Sequence, residues 1–363
     1  MGSTCCDADI GSSGFGRGNL GRGGSIGILP GLAAFAVCGV GGGNSGRVEL
    51  GEYTDGGFGV GVGSGLLFGF GHMYKILVLA AVTVWVAVLT LPDDKLHVVF
   101  CDVGQGDAIL IYQKTTQILI DAGPNDRVVG CLNRHMPFWD KQIEAAVATH
   151  PQADHIGGLV DVMKGYIIVQ FVMGVEGNET AGFEAIRRQI TMTKSQVTNV
   201  YYGDEIRIGD IKFEVVWPEK SWVFAHLELP DDSGSAVLGA KTDGTDLNSF
   251  SIGGILSFGQ FDVLLTGDAD WQIEDEMIEA GGLRSVEVLK VPHHGSKTGM
   301  TREWLGVVKP QLAVISAGKN NRYGHPAEET LKILRDKEIK ILRTDVDGEV
   351  EIVSDGERWW VDK

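Results

Sequence analysis

The chain has 363 residues, 44% of them hydrophobic, with 31 Lys and Arg against 48 Asp and Glu, a formal net charge of −17. That length accommodates a large core, and the acidic excess argues against tight, sequence-independent binding to nucleic acid, which leaves a basic footprint. The imbalance lies in the body of the chain: 26 of the 31 basic and 41 of the 48 acidic residues follow Lys95, a net of −15 there, which still permits a phosphate ester held mainly by metal.

The head is different in kind. Of the 52 glycines, 24 fall within the first 71 residues. Such a stretch loses maximal backbone entropy on ordering and has few side chains to bury, so residues 1–72 read as disordered, or as an extension upstream of a start at Met73. From Ile76 to Leu91 runs an apolar segment of 16 residues, broken only by Thr83 and Thr90 and ended by Pro92-Asp93-Asp94. With Lys75 before it, residues 73–92 have the outline of a signal sequence or a membrane anchor. The run is somewhat short of the roughly 20 residues that span hydrocarbon. Small residues in a cleavage pattern are missing around Val88 to Pro92, which favours an uncleaved anchor over secretion after cleavage. Lys75 on one side and Asp93 and Asp94 on the other place the following domain outside the cytoplasm. A buried core helix is the plainer reading.

Residues 96–363 read as one α/β domain. Leu96 to Cys101, Asp107 to Tyr112 and Gln117 to Asp121 are short β-branched runs separated by turns, a meander. A helix is expected over Val128 to His135, a buried strand over Ile143 to Thr149, and a helix over His155 to Lys164. Strands follow at Ile167 to Val172, Thr198 to Tyr202, Glu205 to Ile208, Ile211 to Trp217, Ser249 to Phe258 and Phe261 to Leu265, with a helix over Gly182 to Thr193. Pro218 to Leu247, rich in Asp, Gly and Ser, reads as a long loop, and such loops are often functional. The last third alternates strand and helix: Val286 to Val291, Arg302 to Val308, Leu312 to Ser316, Ala327 to Lys337 and Lys340 to Arg343, closed by Glu349 to Val353 and Arg358 to Val361. The five cysteines, Cys5, Cys6, Cys38, Cys101 and Cys131, have no zinc-ribbon spacing, and no disulfide framework is expected.

Three strand ends carry chemistry. Thr149-His150-Pro151-Gln152-Ala153-Asp154-His155 places two imidazoles and a carboxylate after an apolar strand. Leu264 to Asp268 ends a second strand on a carboxylate, and Val291-Pro292-His293-His294-Gly295-Ser296 ends a third on paired histidines. Imidazole nitrogen and carboxylate oxygen are the mixed donor set of a hydrolytic divalent-metal centre. Asp268 has a plainer role as N-cap of a helix from Trp271 to Glu279. His72, His97 and His135 have no partners in sequence.

With Phe100-Cys101-Asp102-Val103-Gly104-Gln105-Gly106-Asp107-Ala108, Leu119 to Gly123, Tyr323-Gly324-His325-Pro326 and Arg343-Thr344-Asp345 added in the same order, the chain from Leu96 onward resembles the metallo-β-lactamase fold hydrolases. Within them it is similar to the hydrolase-like domain of the ComEC/Rec2 DNA-internalisation (competence) proteins. The segment before Leu96 does not match the long pore region of those transporters. The resemblance implies an αββα sandwich and a metal-dependent hydrolase that activates water, a phosphodiesterase or nuclease of the ComEC-like type.

It also implies residue roles. One metal site takes Asp154, His155, the bridging Asp268 and His294, with His293 as the alternative. The other keeps His150 but has Gln152, a poor ligand, where the family has His or Asp, and its further histidine is missing: only His226 lies in the interval, and Asn248 stands at the position. One tightly bound Zn or Mn ion and a second, weaker one are therefore expected. Asp154 or Asp268 would orient the attacking water, and His325 would protonate the leaving oxygen or hold the substrate anion. Asn320 and Asn321 are nearby amide donors for an oxyanion, Ser316 is a further candidate, and Asp121 would support the metal loop. Asp102, Gln105 and Asp107 stand near the site, although Gly104 and Gly106 explain that string as a tight turn. The partners expected are a phosphodiester or other anionic substrate and the membrane, through the N-terminal segment. DNA is possible but unsupported by the charge, and no obligate protein partner is evident. Another hydrolase of this fold, on a thioester, lactone or envelope phosphoester, and a binding module with a degraded site are the alternatives.

Overall fold

The computed structural model describes residues 25–27, 66–89, 92–228 and 238–362. Most of the glycine-rich segment therefore lies outside the described residues. The apolar run is helical as part of Leu66–Leu89, where Tyr74, Ile76, Leu77, Leu79 and Trp85 are exposed. Among the described residues no helix is long and apolar enough to cross a membrane.

From Leu96 the chain builds two large sheets. In space the first runs Trp359–Asp362, Val350–Ser354, Leu96–Phe100, Ile109–Gln113, Thr116–Ile120, Gln142–Ala148, Ile167–Met173 and Gln196–Thr198. It is antiparallel as far as Thr116–Ile120 and parallel beyond it. The second runs Glu205–Ile208, Ile211–Trp217, Gly253–Phe258, Phe261–Leu265, Val288–Lys290, Leu312–Ile315 and Lys340–Arg343, with Ser25–Gly27 beside Glu205–Ile208. It too is antiparallel first and parallel from Phe261–Leu265 onward.

Alternation along the strands decides the layers. Val98, Phe100, Ile109 and Ile111 of the first sheet meet Phe213, Val215, Leu256 and Val263 of the second in a shared core. The opposite face of the first sheet, with Val99, Leu110 and Ala146, packs on helices Arg127–His135, Leu159–Gly165 and Ala181–Thr193. The opposite face of the second, with Ile255, Leu264 and Leu289, packs on Glu274–Ala280, Arg302–Val308 and Glu328–Asp336. The architecture is thus the mixed α/β sandwich the sequence implies. Helix Ala181–Thr193 shows the local logic: Thr180 caps it by accepting from the Phe183 N–H at 3.3 Å, Phe183, Ile186 and Ile190 form its buried stripe, and Lys194 ends it in the left-handed region. Each such buried apolar side chain contributes about 1.5–3 kcal/mol.

Several sequence expectations are corrected. His155 to Lys164 is not one helix but two, Ala153–Ile156 and Leu159–Gly165, because Gly157 and Gly158 press against the loop after Thr116–Ile120: a Cβ on Gly158 would stand 2.2 Å from the Ala122 carbonyl. The helix expected from Trp271 begins at Glu274 with Ile273 at its cap, so Asp268 caps nothing. Pro218 to Leu247 contains helix Lys220–Ala225 and the paired strands Leu227–Glu228 and Lys241–Thr242. Residues 199–202 are not a strand, and Leu247–Phe250 is a 3-10 turn before Gly253–Phe258. A disulfide joins Cys101 and Cys131, tying the end of Leu96–Phe100 to helix Arg127–His135. Spacing could not show this, since the two cysteines stand 30 residues apart and meet only through the packing of helix on sheet.

Burial also places a proton. Glu176 is 2% exposed, and desolvation pushes its carboxyl from the ordinary 4.5 up to about 7. Because the folded value is raised, the stabilising contribution of the protonated form is complete below pH 4.5 and is lost as pH rises through 7. Glu176→Gln removes that dependence. Denaturant melts at pH 5 and pH 8 should show the wild type losing on the order of 3 kcal/mol more than the variant between them.

Candidate metal centre

Parallel strands deliver their carboxyl ends to one edge, and loops at that edge build sites. Here the parallel halves of both sheets do so. Asp121 follows Thr116–Ile120, and His150, Asp154 and His155 follow Gln142–Ala148. Asp268 follows Phe261–Leu265, His294 follows Val288–Lys290, and His325 lies in the loop after Leu312–Ile315. Residues far apart in sequence therefore meet because each ends a strand on the same rim.

Their geometry could hold a metal ion. Donor atoms of Asp154, His155, Asp268 and His294 all lie within 4.8 Å of one another. Asp268 Oδ2 stands 3.2 Å from His155 Nε2 and 3.2 Å from His294 Nε2, and Asp154 Oδ2 is 3.5 Å from His294 Nε2. Both Nε2 atoms are buried without a hydrogen bond, as is His150 Nε2. Buried polar atoms are normally hydrogen-bonded, so three imidazole nitrogens at one rim without a hydrogen bond, two of them facing the Asp268 carboxylate, fit the donor set of a divalent ion. Behind them, His155 Nδ1 bonds Asp121 Oδ2 at 2.7 Å, and Asp121 also accepts from the Thr149 N–H at 2.8 Å and the Thr149 hydroxyl at 2.7 Å. His294 Nδ1 donates to the Ser316 carbonyl at 3.1 Å. These contacts fix both rings with Nε2 turned inward, as the outer partners of metal-bound histidines do.

Charge follows the same arrangement. Burial would lower the His294 imidazole, but Asp268 and Asp107 outweigh it and raise it to about 9. Burial would raise Asp154, yet its close contact with His294 and the charge of His155 bring it to about 2. His155 is held well above its ordinary value, since Asp268 and Asp121 overcome burial. His150, buried and facing His155 with ring centroids 4.1 Å apart, is held well below it and stays neutral. The carboxylates thus favour positive charge at His155 and His294, and a cation bound at Nε2 would compete with protons there.

Of the paired histidines, both at positive φ, the structure turns His294 inward at 1% exposure and His293 outward at 24%. His293 lies 3.9 Å from Asp270 Oδ2 and packs edge-on against His325, centroids 5.7 Å apart. His325 is half-buried with Nδ1 unpaired, and burial together with the nearby His293 and His294 lowers its imidazole. Gln152 starts helix Ala153–Ile156 through its backbone carbonyl, which accepts from His155 and Ile156. His150 Nδ1 meets the Thr149 and Ser251 hydroxyls at 3.1 and 3.2 Å, and among the described residues it joins no group of three metal-binding side chains. Asn248 stands three residues before Ser251, buried with Oδ1 unpaired.

Other candidates are placed elsewhere. His226 stacks on Trp222 and bonds its carbonyl at 2.8 Å. Asn321 is no oxyanion donor: its amide nitrogen is used on the Gly318 and His325 carbonyls and its oxygen accepts from the Tyr323 and His325 N–H groups, which shapes the loop. His97 and His135 pair with Glu351 and Glu349.

The sequence reading missed Lys290 and underrated Asp107. Lys290 is fully buried, and its ammonium bonds the Gly267 carbonyl at 2.7 Å, pairs with Asp107 and lies 3.4 Å from Asp268 Oδ1. The signal was a lysine inside the apolar run Val286 to Val291. Asp107 is 1% exposed and stands 3.6 Å from His294 Nδ1, so the glycines of its loop bring a carboxylate to the centre rather than merely making a turn.

Known proteins resemble this chain. The profile of the Metallo-beta-lactamase superfamily matches residues 101–319. ComE operon protein 3 of Bacillus subtilis is 28% identical over 274 residues, covering 69% of this chain and 32% of its own length. Recombination protein 2 of Haemophilus influenzae is 27% identical over 255 residues, covering 69% of this chain and 28% of its own. The chain thus spans about a third or less of the curated relatives it matches. Among solved structures, the metallo-beta-lactamase fold protein YhfI from Bacillus subtilis aligns at a TM-score of 0.42 and 10% identity, covering 74% of this chain and all of that one.

Proposed function

Since the chain belongs to the metallo-beta-lactamase superfamily, we propose that it is a metal-dependent hydrolase acting on a phosphodiester, with Asp154, His155, Asp268 and His294 as the ligands of one Zn or Mn ion. The observation that carries the reading is the meeting of these four side chains with two buried, unpaired Nε2 atoms among them. Bound by these four side chains, a divalent ion would lower the pKa of a water and would neutralise charge on the phosphoryl oxygens.

The protein groups do the rest. Asp154, at 29% exposure the most open of the four, orients the attacking water. Asp121 keeps His155 in the tautomer that leaves Nε2 free. His325, beyond His293, has its imidazole lowered by burial and by the neighbouring His293 and His294, which suits it to hold a substrate oxygen by a hydrogen bond. Hydrolysis of a generic phosphodiester, set beside a thioester and a lactone, tests the reading. Phosphodiester turnover alone supports it; turnover of the thioester or lactone alone contradicts it.

The acidic balance favours a second reading, the same fold acting on another small substrate rather than on a nucleic-acid polymer. A binding module remains the alternative if no substrate is turned over. Gln152→Asp separates catalysis from scaffolding, because it puts a carboxylate beside the otherwise isolated His150. Activity at limiting metal should rise roughly 10-fold if the centre is catalytic, on the scale of one improved ligand. A silent wild type with an equally silent variant argues for a binding module.

The reading includes attachment to a membrane through residues 73–92 with the catalytic domain on the extracytoplasmic side. The exposed apolar side chains between Met73 and Trp85 support attachment, and the Cys101–Cys131 disulfide fits an oxidising compartment. The protein should stay with membranes through alkaline carbonate extraction, and release into the supernatant would rule the anchor out.

A further inference from the structure

Lysine is almost never fully buried unless paired, yet Lys290 has no exposed surface at the end of strand Val288–Lys290. Its ammonium sits among oxygens as a metal cation would, with the Gly267 carbonyl at 2.7 Å, Asp107, and Asp268 Oδ1 at 3.4 Å. Asp107, Asp121 and His155 form a second group whose donor atoms lie within 4.8 Å of one another, directly behind the first group and sharing His155 with it. Neither oxygen of Asp107 accepts a hydrogen bond, so Lys290 is its partner through charge.

Asp268 therefore divides its two oxygens. Oδ2 faces the Nε2 atoms of His155 and His294, and Oδ1 faces the ammonium. A carboxylate that bridges two metals is neutralised from both sides, and here a lysine already provides one side. On the His150 flank no group of three metal-binding side chains meets among the described residues. We propose that Lys290 is a built-in cation that takes the place of a second divalent ion beside Asp107 and Asp268, and so limits the centre to one. Lys290 is then a positioning residue: it directs Asp268 Oδ2 to the single ion and excludes a second from the acidic pocket behind it. This rests on the metal-centre reading above.

The test counts ions on the full chain, stripped with chelator, re-equilibrated with Mn2+ and measured by elemental mass spectrometry, beside thermal melts in chelator and in Mn2+. The wild type and Lys290→Arg should each hold one ion. Lys290→Ala, which leaves both space and uncompensated carboxylates, should hold two and should gain more melting temperature from Mn2+ than the wild type gains. Adding Asp107→Asn to Lys290→Ala should return the count to one. The inference is overturned by two ions on the wild type or one on Lys290→Ala. It is equally overturned by a Lys290→Ala chain that stays unfolded in millimolar Mn2+ while Lys290→Arg folds. A wild type that binds no ion contradicts the metal-centre reading itself, whereas one ion on both wild type and Lys290→Ala contradicts only the role given to Lys290.

Discussion

His155→Ala should abolish both ion retention and turnover. This imidazole has no exposed surface and stands between Asp121 on Nδ1, at 2.7 Å, and Asp268 on Nε2, at 3.2 Å. Removing it deletes a ligand and frees Asp121 and Asp268 from the partner that orients them. A loss of about 4 kcal/mol of transition-state stabilisation, the scale of direct metal participation, corresponds to roughly 10^3-fold in rate. Asp121→Asn, which keeps the ligand and weakens its support, should cost about 10–100-fold in metal affinity, with the ion restored at high concentration. Ion content and kcat measured on both variants separate the two effects. Equal and small losses would mean that His155 serves packing only.

Loss of the disulfide should be the largest change in stability. Closing a loop of 30 residues corresponds in the chain-entropy account to about 3.6 kcal/mol, so Cys101→Ser with Cys131→Ser should lower Tm by roughly 7–14 °C in a domain of this size. Both sulfurs are buried at 1% exposure, so the bond should resist mild reductant in the folded protein and yield once denaturant is added. Cys101 opens the loop that ends at Asp107, so the same variant should bind metal more weakly as well. Alkylation under denaturing, non-reducing conditions should spare Cys101 and Cys131, and modification of both would contradict the bond.

Much of this was legible in the chain because strand-end motifs are local. An apolar run that buries both faces and then stops on His or Asp states its own position, as Gln142–Ala148 does before His150 and Phe261–Leu265 before Asp268. The pattern of the ligand set, with Gln152 and an isolated His150, could likewise be read residue by residue. What escaped depended on three-dimensional juxtaposition. Lys290 reads as an oddity in a strand until Asp107, from a loop some 180 residues earlier, is packed against it. The Cys101–Cys131 bond requires helix Arg127–His135 to lie on the first sheet, and the break at Gly157 and Gly158 requires the Ala122 loop beneath them. Asn321 suggested a donor by type, but its hydrogen bonds to its own loop were decided by backbone turns that composition does not encode.

The central claim is that Asp154, His155, Asp268 and His294 hold an ion on which hydrolysis depends. The most direct measurement is hydrolysis of a simple phosphodiester by the full chain after chelation and again after stepwise addition of Mn2+ or Zn2+, with bound metal counted at each step. Turnover should be absent in the stripped protein and should return in proportion to the first ion bound, reaching its plateau near one per chain. Turnover that survives complete removal of metal, or a fully loaded protein that leaves the phosphodiester intact, would contradict the account.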